Sequence, residues 1–364
     1  MSMDPKQMEL TAIINGIQPV DAQWIEKAKE RTAQLVMPTR ALGRLHDISE
    51  RLCGIQKTLT PSIDKKVVLV MAGDHGVAAN GVSAYPQEVT GAMIETFLSG
   101  GAGINVISRH VGADVWVVDM GIIPELDPDS LEGGNRLLVR KIAKGTANLI
   151  KGPAMARAEA KTAILTGFEL ASALFAKGVD ILGTGDMGIG NTTPSAAIGA
   201  VITRSGLAEM VGRGTGVDDE GLVKKQEAIR QGIEINQPDP ADGIDVLSKV
   251  GGFEIGGIAG CILAGAFHSR PVVIDGFIST AGALIAHTLC RTVKGYLFAG
   301  HRSEESGHHA MLAHLGLDPI LDLGMRLGEG TGGALAMGII DSAINIFTDV
   351  LTFGEAGVPD KADP

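Results

Sequence analysis

Hydrophobic runs of strand length recur along the middle of this chain, and each ends in Gly or Asp before a helix-like stretch. Continuous apolar strands that alternate with helices indicate a parallel sheet buried on both faces. The pattern therefore predicts an α/β fold, with "GYLFAG" as a further short strand. The repeated unit occupies five segments: Lys66–Gly76, Ala113–Ile122, Val179–Ile202, Pro271–Leu289 and Pro319–Ile340.

The two ends of the chain have a different pattern. Residues 1–60 carry amphipathic helical periodicity in "VDAQWIEKAKERTAQLVMP" and "RALGRLHDISERLCGIQKTL", and "SAINIFTDVLTFGEAGV" returns to helix near the C-terminus. We therefore expect a small helical subdomain from residues 1–60 and 341–364, and a Rossmann-like parallel catalytic domain from residues 61–340. The apolar run "GGIAGCILAGAF" is too short to span a membrane and predicts a buried helix.

Composition narrows the class of protein. The formal net charge of −11 argues against binding to nucleic acid, and the 4% aromatic content argues against a base-stacking surface. The three cysteines, Cys53, Cys261 and Cys290, form no CxxC pair, so we expect reduced thiols that act as small core residues. The N-terminus "MSMDPKQMEL" lacks the pattern of a signal peptide, which favours a cytoplasmic protein.

The loop "GTGDMGIGNTTP" follows one predicted strand and precedes a helix. Parallel sheets bind ligands beyond the carboxyl ends of their strands, and glycines let backbone N–H groups converge on an anion there. Two interpretations remain open: a phosphate-binding loop, or a tight turn with a good cap. In either case Pro194 is expected in the first helical turn, with Thr192 or Thr193 as the cap.

The pattern G-x-G-x-x-G occurs twice, at Gly183–Gly188 and at Gly328–Gly333. The dinucleotide-binding fingerprint belongs in the first βαβ unit, and neither occurrence opens the sheet. A nicotinamide-dependent oxidoreductase therefore remains only a remote alternative. No Walker A sequence is present.

Three other polar segments carry candidate chemistry. Asp74 and His75 could form a metal or acid–base pair, or a simple loop hydrogen bond. "HRSEESGHHAMLAH" has no zinc-like spacing and predicts a solvated loop and helix start. "VGRGTGVDDEGLVKKQEAI" contains Arg213 and Lys225; it predicts either an exposed helix with charge pairs or a lysine that reaches a phosphate. No metal is predicted.

A single acid, Glu329, lies among glycines in "LDLGMRLGEGTGGALA". This segment, with "AGDHGV", "GVSAYPQEVT", "GTGDMGIGNTT", "GRGTGVDDE", "IDGFISTA" and "HRSEESGH", resembles the nicotinate-nucleotide–dimethylbenzimidazole phosphoribosyltransferases in order from about residue 10 to residue 358. The resemblance implies that nicotinate mononucleotide and 5,6-dimethylbenzimidazole yield α-ribazole 5′-phosphate and nicotinate, a step in assembling the nucleotide loop of cobalamin. It also implies inversion at the ribose anomeric carbon, a cytoplasmic homodimer and no cofactor.

The same resemblance assigns roles to residues. Glu329 is expected to be the catalytic base and Asp186 a second catalytic carboxylate. The azole is expected to contact Ser83, Leu327 and Met187. The phosphate and ribose are expected at Gly188, Ile189, Gly190, Asn191 and Lys225.

Two departures from the family pattern leave the acceptor base open. Asp186 stands where the family commonly has Glu, and Ala92 stands where it often has Gln. A different azole or a purine is therefore an alternative acceptor for the same chemistry. A catalytically inert nucleotide-binding protein is a further alternative, although Glu329 and Lys225 are both retained.

Overall fold

The computed structural model describes residues 9–359. Within them, six strands form one sheet and two more form a separate pair. The strands are β1 Lys66–Gly73, β2 Ala113–Gly121, β3 Leu137–Val139, β4 Ile181–Met187, β5 Val272–Ile274, β6 Leu297–Ala299, β7 His301–Ser303 and β8 Leu321–Met325.

The main sheet has the order β3-β2-β1-β4-β5-β6, and every neighbouring pair is parallel. This is the strand order of doubly wound folds, so the predicted Rossmann-like α/β class is confirmed. The strand order reverses between β1 and β4. A crevice therefore opens beyond the carboxyl ends of these two strands, where such sheets bind ligands.

Helices cover both faces of the sheet. They are α1 Leu10–Gly16, α2 Ala22–Gln34, α3 Arg44–Gln56, α4 Val89–Leu98, α5 Gly103–Val111, α6 Arg157–Ala176, α7 Thr192–Thr203, α8 Leu207–Met210, α9 Asp219–Asn236, α10 Gly243–Val250, α11 Phe253–Phe267, α12 Phe277–Leu289, α13 His308–Leu315, α14 Thr331–Asp349 and α15 Phe353–Ala356.

Strand β1 shows how the two layers form. Val68 and Met71 point to opposite faces because side chains alternate along a strand. Val68 packs beside α14, whereas Met71 packs beside α11. Helix α11 also packs against α6 and is buried along nearly its whole length, as predicted for "GGIAGCILAGAF". No helix within residues 9–359 is both long and apolar enough to cross a bilayer.

Two strands were not expected, and one expected strand lies elsewhere. β3 has only three residues and is flanked by Arg136 and Arg140, and β7 consists of the three polar residues His-Arg-Ser. Neither strand forms a recognisable apolar run. β8 was predicted as part of the main sheet, but it pairs with β7 in a separate two-stranded sheet. The central residues of β8 are exposed, whereas the central strands of the main sheet, β1 and β4, are buried on both faces.

The helices near the N-terminus contact α14, the last long helix of the described chain. Arg31 on α2 donates hydrogen bonds to the carbonyl oxygens of Phe347 and Thr348 on α14. Helix α14 itself is continuous across the expected boundary at residue 341. The division into two subdomains stays a prediction. Residues 1–8, which include most of the segment used to argue against a signal peptide, and residues 360–364 lie outside the described part of the chain.

Cys53 and Cys261 are buried, and their positions fit the expected role as small core residues. Burial raises the pKa of both thiols to about 12, so both stay protonated at neutral pH. Cys290 is half-buried and packs against the core.

Candidate active site

A cavity of about 320 Å³ lies beyond the carboxyl ends of the central strands. Segments that are far apart in the sequence meet there because parallel strands all end at the same edge. Strand β4 and the start of α7 form one wall, and the residues before α14 form another. The lining consists of Tyr85, Asp186, Asn191, Thr192, Gly214, Thr215, Gly276, Phe277, Ile278, His301, Ser303, Glu305, Arg326, Leu327 and Gly328.

Asp186 lies at the end of β4 and is buried in this wall. Burial raises the pKa of Asp186 to about 8, and the negative charge of Asp275 contributes to this rise. Asn191 partly opposes this effect by donating a hydrogen bond of 2.9 Å from Nδ2 to Asp186 Oδ2. At neutral pH Asp186 is therefore largely protonated, and its carboxyl group can donate a hydrogen bond.

Glu329 lies directly after the lining residue Gly328 and has an unusual backbone conformation. Gly328, Glu329 and Gly330 have φ angles of 82°, 65° and 95°. Left-handed conformations are common for glycine but disfavoured for glutamate. The loop also presses against β4: a Cβ atom on Gly185 would lie 2.3 Å from the carbonyl oxygen of Glu329, so only glycine fits there.

The side chain of Glu329 is also buried, and it points to the start of α5. Glu329 Oε2 accepts a hydrogen bond of 3.1 Å from the backbone N–H of Ile104. Burial raises the pKa of Glu329 above its usual range, while the Ile104 hydrogen bond opposes this rise. A Cβ atom on Gly103 would lie 3.0 Å from Leu327 Cδ2 and 3.3 Å from Glu329 Oε2. The carboxylate of Glu329 and the side chain of Leu327 therefore both lie next to Gly103.

The two acids are suited to different tasks. A general base must be ionised at the working pH. Asp186, with its pKa near 8, is protonated at pH 7. Glu329 has the N–H of Ile104 to stabilise its charged form. The two acids therefore differ in their hydrogen-bond partners: a side-chain amide donates to Asp186, and a backbone N–H donates to Glu329.

The predicted exposed helix with charge pairs is confirmed for the outer face of α9, where Lys224 pairs with Glu220, but Lys225 itself is fully buried. Its ammonium group donates hydrogen bonds to Thr192 Oγ1 at 2.7 Å and to the carbonyl oxygen of Gly212 at 3.1 Å. Burial lowers the pKa of Lys225 to about 8, and Glu305 raises it in part. Thr192 lines the cavity and Lys225 does not. Lys225 therefore places a positive charge one layer behind the cavity wall.

The loop from Gly188 to Asn191 follows β4 and packs tightly against the end of β1, because a Cβ atom on Gly188 would lie 2.2 Å from the carbonyl oxygen of Gly73. Two of its N–H groups already have partners: Ile189 donates to Thr90 Oγ1 at 3.1 Å, and Asn191 donates to the carbonyl oxygen of Gly188 at 3.0 Å. Of the four residues expected to hold phosphate in this loop, only Asn191 lines the cavity. The expectation that Thr192 or Thr193 caps α7 is wrong, because the helix begins at Thr192 and the residue before it is Asn191.

The residues expected to bind the azole differ in their position relative to the cavity. Leu327 is exposed and lines the cavity. Ser83 lies at its edge, where its hydroxyl is 3.1 Å from that of the lining residue Thr215. Met187 is half-buried and is not part of the lining. Ala92 is exposed on α4 and lines a separate groove with Leu131.

Asp74 makes the loop hydrogen bond that was one of its predicted roles, and His75 pairs with a different acid. His75 Nε2 lies 2.9 Å from Glu254 Oε1 in a fully buried pair, whereas Asp74 Oδ2 accepts a hydrogen bond from the N–H of Ile123. No cluster of metal-ligand residues occurs within residues 9–359. The expectation of a solvated loop in "HRSEESGH" is wrong for His301 and His308, which are both buried, although a helix does start at His308.

Three further residues that were not expected at the site lie in or next to the cavity wall. Asp275 follows β5, and its two carboxylate oxygens accept hydrogen bonds from the loop and helix after Glu329. His301 Nε2 lies 3.6 Å from Asp275 Oδ1. Arg326 is the sole lysine or arginine among the described residues that line the cavity. A polar residue directly after an apolar run was the available signal for Asp275.

Comparisons with known proteins agree with this architecture. A family model described as phosphoribosyltransferase matches residues 17–358. A nicotinate-nucleotide–dimethylbenzimidazole phosphoribosyltransferase of Geobacter metallireducens is 52% identical over 354 residues, which are 97% of this chain and 99% of that protein. The protein of the same name from Desulforudis audaxviator is 52% identical over 96% of this chain and 98% of its own length.

Solved structures extend the agreement to three dimensions. A crystal structure of the nicotinate-nucleotide–dimethylbenzimidazole phosphoribosyltransferase of Thermus thermophilus is 43% identical. It superimposes with a TM-score of 0.87 and covers 94% of this chain and 100% of that one. The chain belongs to the phosphoribosyltransferase family that includes these nicotinate-nucleotide–dimethylbenzimidazole enzymes.

Proposed function

We propose that this protein transfers the 5-phosphoribosyl group of nicotinate mononucleotide to 5,6-dimethylbenzimidazole, which forms α-ribazole 5′-phosphate and nicotinate. The observation that carries the proposal is the cavity at the carboxyl ends of the strands, which joins a buried acid, a polar wall and an apolar residue next to Glu329. Family membership gives this cavity its expected substrates.

Glu329 is proposed as the general base. One nitrogen of the benzimidazole attacks the anomeric carbon while the bond from that carbon to the pyridinium nitrogen of nicotinate breaks. The attacking ring would become cationic, so the proton on its other nitrogen becomes acidic and passes to the carboxylate of Glu329. The pyridinium leaves with the bonding electrons and needs no proton. Attack opposite to the leaving group inverts the configuration at the anomeric carbon.

The surroundings of Glu329 support this role. Leu327 provides an apolar surface beside the carboxylate, where an aromatic ring can pack. An ionised Glu329 also favours the positive charge that develops on the ribose in the transition state. Asp186, largely protonated at neutral pH, adds a neutral hydrogen-bonding group beside Gly328 without repelling the substrate. Ser83 and Met187 remain proposed contacts of the ring.

The phosphate and ribose are proposed to bind on the α7 side, by Gly188, Ile189, Gly190, Asn191 and Lys225. Asn191 and Thr192 line the cavity, and the charge of Lys225 lies 2.7 Å behind the Thr192 hydroxyl. A cation in a poorly solvated position favours an anion at the adjoining wall. Lys225 has a pKa of about 8 and is largely charged at pH 7.

The first prediction concerns the base itself. Glu329→Gln keeps the size of the side chain and can still accept the Ile104 hydrogen bond, but it cannot take up a proton at neutral pH. We expect turnover to fall by about 10²–10⁴-fold, the usual contribution of general acid–base catalysis. The measurement is nicotinate release from nicotinate mononucleotide and dimethylbenzimidazole, followed by chromatography.

A matched variant controls for the loss of one carboxylate. Glu209→Gln changes an exposed residue on α8 and should leave the rate unchanged. Undiminished turnover in Glu329→Gln would refute the base assignment. If the unaltered protein released no nicotinate with any azole or purine in an acceptor panel, yet bound the nucleotide, it would instead be an inert nucleotide-binding protein.

The same panel determines the acceptor. Asp186 is one methylene shorter than the glutamate that the family commonly carries, and Ala92 lacks an amide. Because Ala92 lines a separate groove from Asp186, we propose that Asp186 has the larger effect on acceptor choice. The protein is also proposed to be a cytoplasmic homodimer.

A further inference from the structure

Glu329 holds a backbone conformation that its residue type disfavours. Its φ is 65°, between two glycines that also have positive φ. A non-glycine residue persists in this region only when the surrounding structure holds it there, and such residues cluster at functional sites. The groups that fix the backbone on either side of Glu329 therefore matter for where its carboxylate lies.

Asp275 fixes this backbone from outside the loop, whereas Thr331 holds it from within by donating to the carbonyl oxygen of Gly328. Asp275 directly follows β5 and is buried. Asp275 Oδ2 accepts a hydrogen bond of 3.1 Å from the N–H of Gly330, and Oδ1 accepts one of 2.9 Å from the N–H of Gly333. Both carboxylate oxygens are thus engaged with the segment immediately after Glu329.

These bonds replace a missing helix cap. The first N–H groups of a helix lack partners within the helix. The residue before α14 is Gly330, which has no side chain that could supply an acceptor. Asp275 supplies the acceptors from another element, and its negative charge is favourable at the helix N-terminus. The start of α14 is therefore tied to the end of β5.

The other side of Glu329 is held separately. Its carboxylate accepts the hydrogen bond from Ile104 at the start of α5. The residue is thus held at two points, the backbone by Asp275 and the carboxylate by α5. Asp275 and Ile104 are both absent from the cavity lining, and Glu329 itself adjoins the cavity through its neighbour Gly328, which is part of the lining.

We propose that Asp275 is a positioning residue for Glu329: by holding the N–H groups of Gly330 and Gly333, it keeps the Glu329 carboxylate at the start of α5, beside Leu327. This proposal rests on the proposed function, because it assumes that Glu329 accepts the proton. Asp275 acts through Glu329 and makes no contact with substrate.

A double-mutant cycle separates positioning from simple helix capping. A cap stabilises the fold whatever residue stands at position 329. A positioning residue loses its effect on the rate when the group that it positions no longer works. The four proteins are the unaltered chain, Asp275→Asn, Glu329→Gln and the double variant, each assayed for kcat and for KM of nicotinate mononucleotide.

We expect Asp275→Asn to lower kcat by about 10–10²-fold, because asparagine retains one acceptor but turns an NH₂ group toward the other N–H. The KM for nicotinate mononucleotide should change by less than about threefold, since uniform substrate binding is untouched. In the Glu329→Gln background the same substitution should lower kcat by less than about threefold. An equal fall in both backgrounds, or no fall in the first, would overturn the proposal.

Asp242→Asn is the matched control. Asp242 also accepts two backbone hydrogen bonds at a helix start, from Ile244 at 3.0 Å and Asp245 at 3.1 Å. It should change kcat in neither background. If Asp275→Asn fails to fold, Asp275→Glu enters the same cycle, since it keeps both oxygens but displaces them by a methylene. Absence of turnover in the unaltered protein would contradict the proposed function instead, which keeps the two failures distinct.

Discussion

At the scale of single residues, the site concentrates acids whose pKa values are raised by burial. Asp186, Asp275 and Glu329 are all buried at the same edge of the sheet, and burial raises the pKa of each. Each carboxylate also disfavours ionisation of its neighbours. Backbone N–H groups favour the charged form of two of these acids: Asp275 accepts from Gly330 and Gly333, and Glu329 accepts from Ile104.

This arrangement predicts a pH dependence of stability that arises from Asp186. Its folded pKa is about 8, well above the ordinary value of 3.8, so the folded protein binds a proton that the unfolded chain releases. The stability from this proton is complete below about pH 4 and is lost as the pH rises through 8. Asp186→Asn removes this loss, so the free energy of unfolding should fall less steeply in the variant, by at most about 1.4 kcal/mol per pH unit.

Urea unfolding between pH 5 and pH 8 measures this difference. Asp114→Asn, which changes an exposed carboxyl group on β2, should follow the same pH curve as the unaltered protein. Parallel curves for Asp186→Asn and the unaltered protein would show that Asp186 ionises normally in the folded state, and the division of roles between Asp186 and Glu329 would then lose its basis.

At the scale of elements, the crossing of α6 and α11 determines how one helical layer packs. A Cβ atom on Gly260 of α11 would lie 1.9 Å from the carbonyl oxygen of Ile164 on α6. A Cβ atom on Gly167 of α6 would lie 1.9 Å from the carbonyl oxygen of Gly257. The two helix backbones are therefore in contact, and they cannot separate without shifting α11 against the sheet.

Gly260→Ala should therefore lower the free energy of unfolding by about 1–3 kcal/mol, the usual cost of overpacking a core. Alanine normally favours a helix over glycine, so a loss of stability would identify the steric conflict as the cause. Gly354→Ala is the control, because a Cβ atom on this helical glycine of α15 has no neighbour within 4 Å. Equal or higher stability of Gly260→Ala in chemical denaturation would contradict the tight crossing.

The sequence predicts elements better than it predicts their contacts. The strands β1, β2, β4 and β5 are recognisable because they are continuous apolar runs that end in Gly or Asp. Lys224 and Lys225 are adjacent on one helix and point about 100° apart. Only packing decides that Lys225 faces inward, where it meets Thr192.

The same limit applies to the candidate site. Asp186 and Glu329 stand out in sequence as acids within glycine-rich loops. The hydrogen bond between Glu329 and Ile104 joins residues 225 positions apart, and the one between Asp275 and Gly330 joins residues 55 apart. Neither hydrogen bond is encoded in a local sequence pattern. Both form because the starts of α5 and α14 lie at the same edge of the sheet. The supporting residues therefore emerge only from the three-dimensional structure.

At the scale of the whole molecule, β8 presents an exposed apolar surface, although its partner β7 packs against α13 and α14. Strands β7 and β8 form a two-stranded sheet apart from the main one, and such pairs are marginally stable in water without further packing. In β8 the side chain of Leu323 is 61% exposed, and Leu327 just beyond it is 59% exposed. A second copy of the chain, as proposed for the homodimer, would cover these leucines.

This leads to a prediction about assembly. Sedimentation should give twice the monomer mass for the unaltered protein, and Leu323→Glu should shift the equilibrium toward monomer because a charge in an apolar interface is costly. Val223→Glu is the matched control, since Val223 is a similarly exposed apolar residue, 64% exposed, on the helix α9 rather than on β8. A monomeric unaltered protein would refute the homodimer. A dimer weakened equally by both substitutions would place its interface elsewhere than β8.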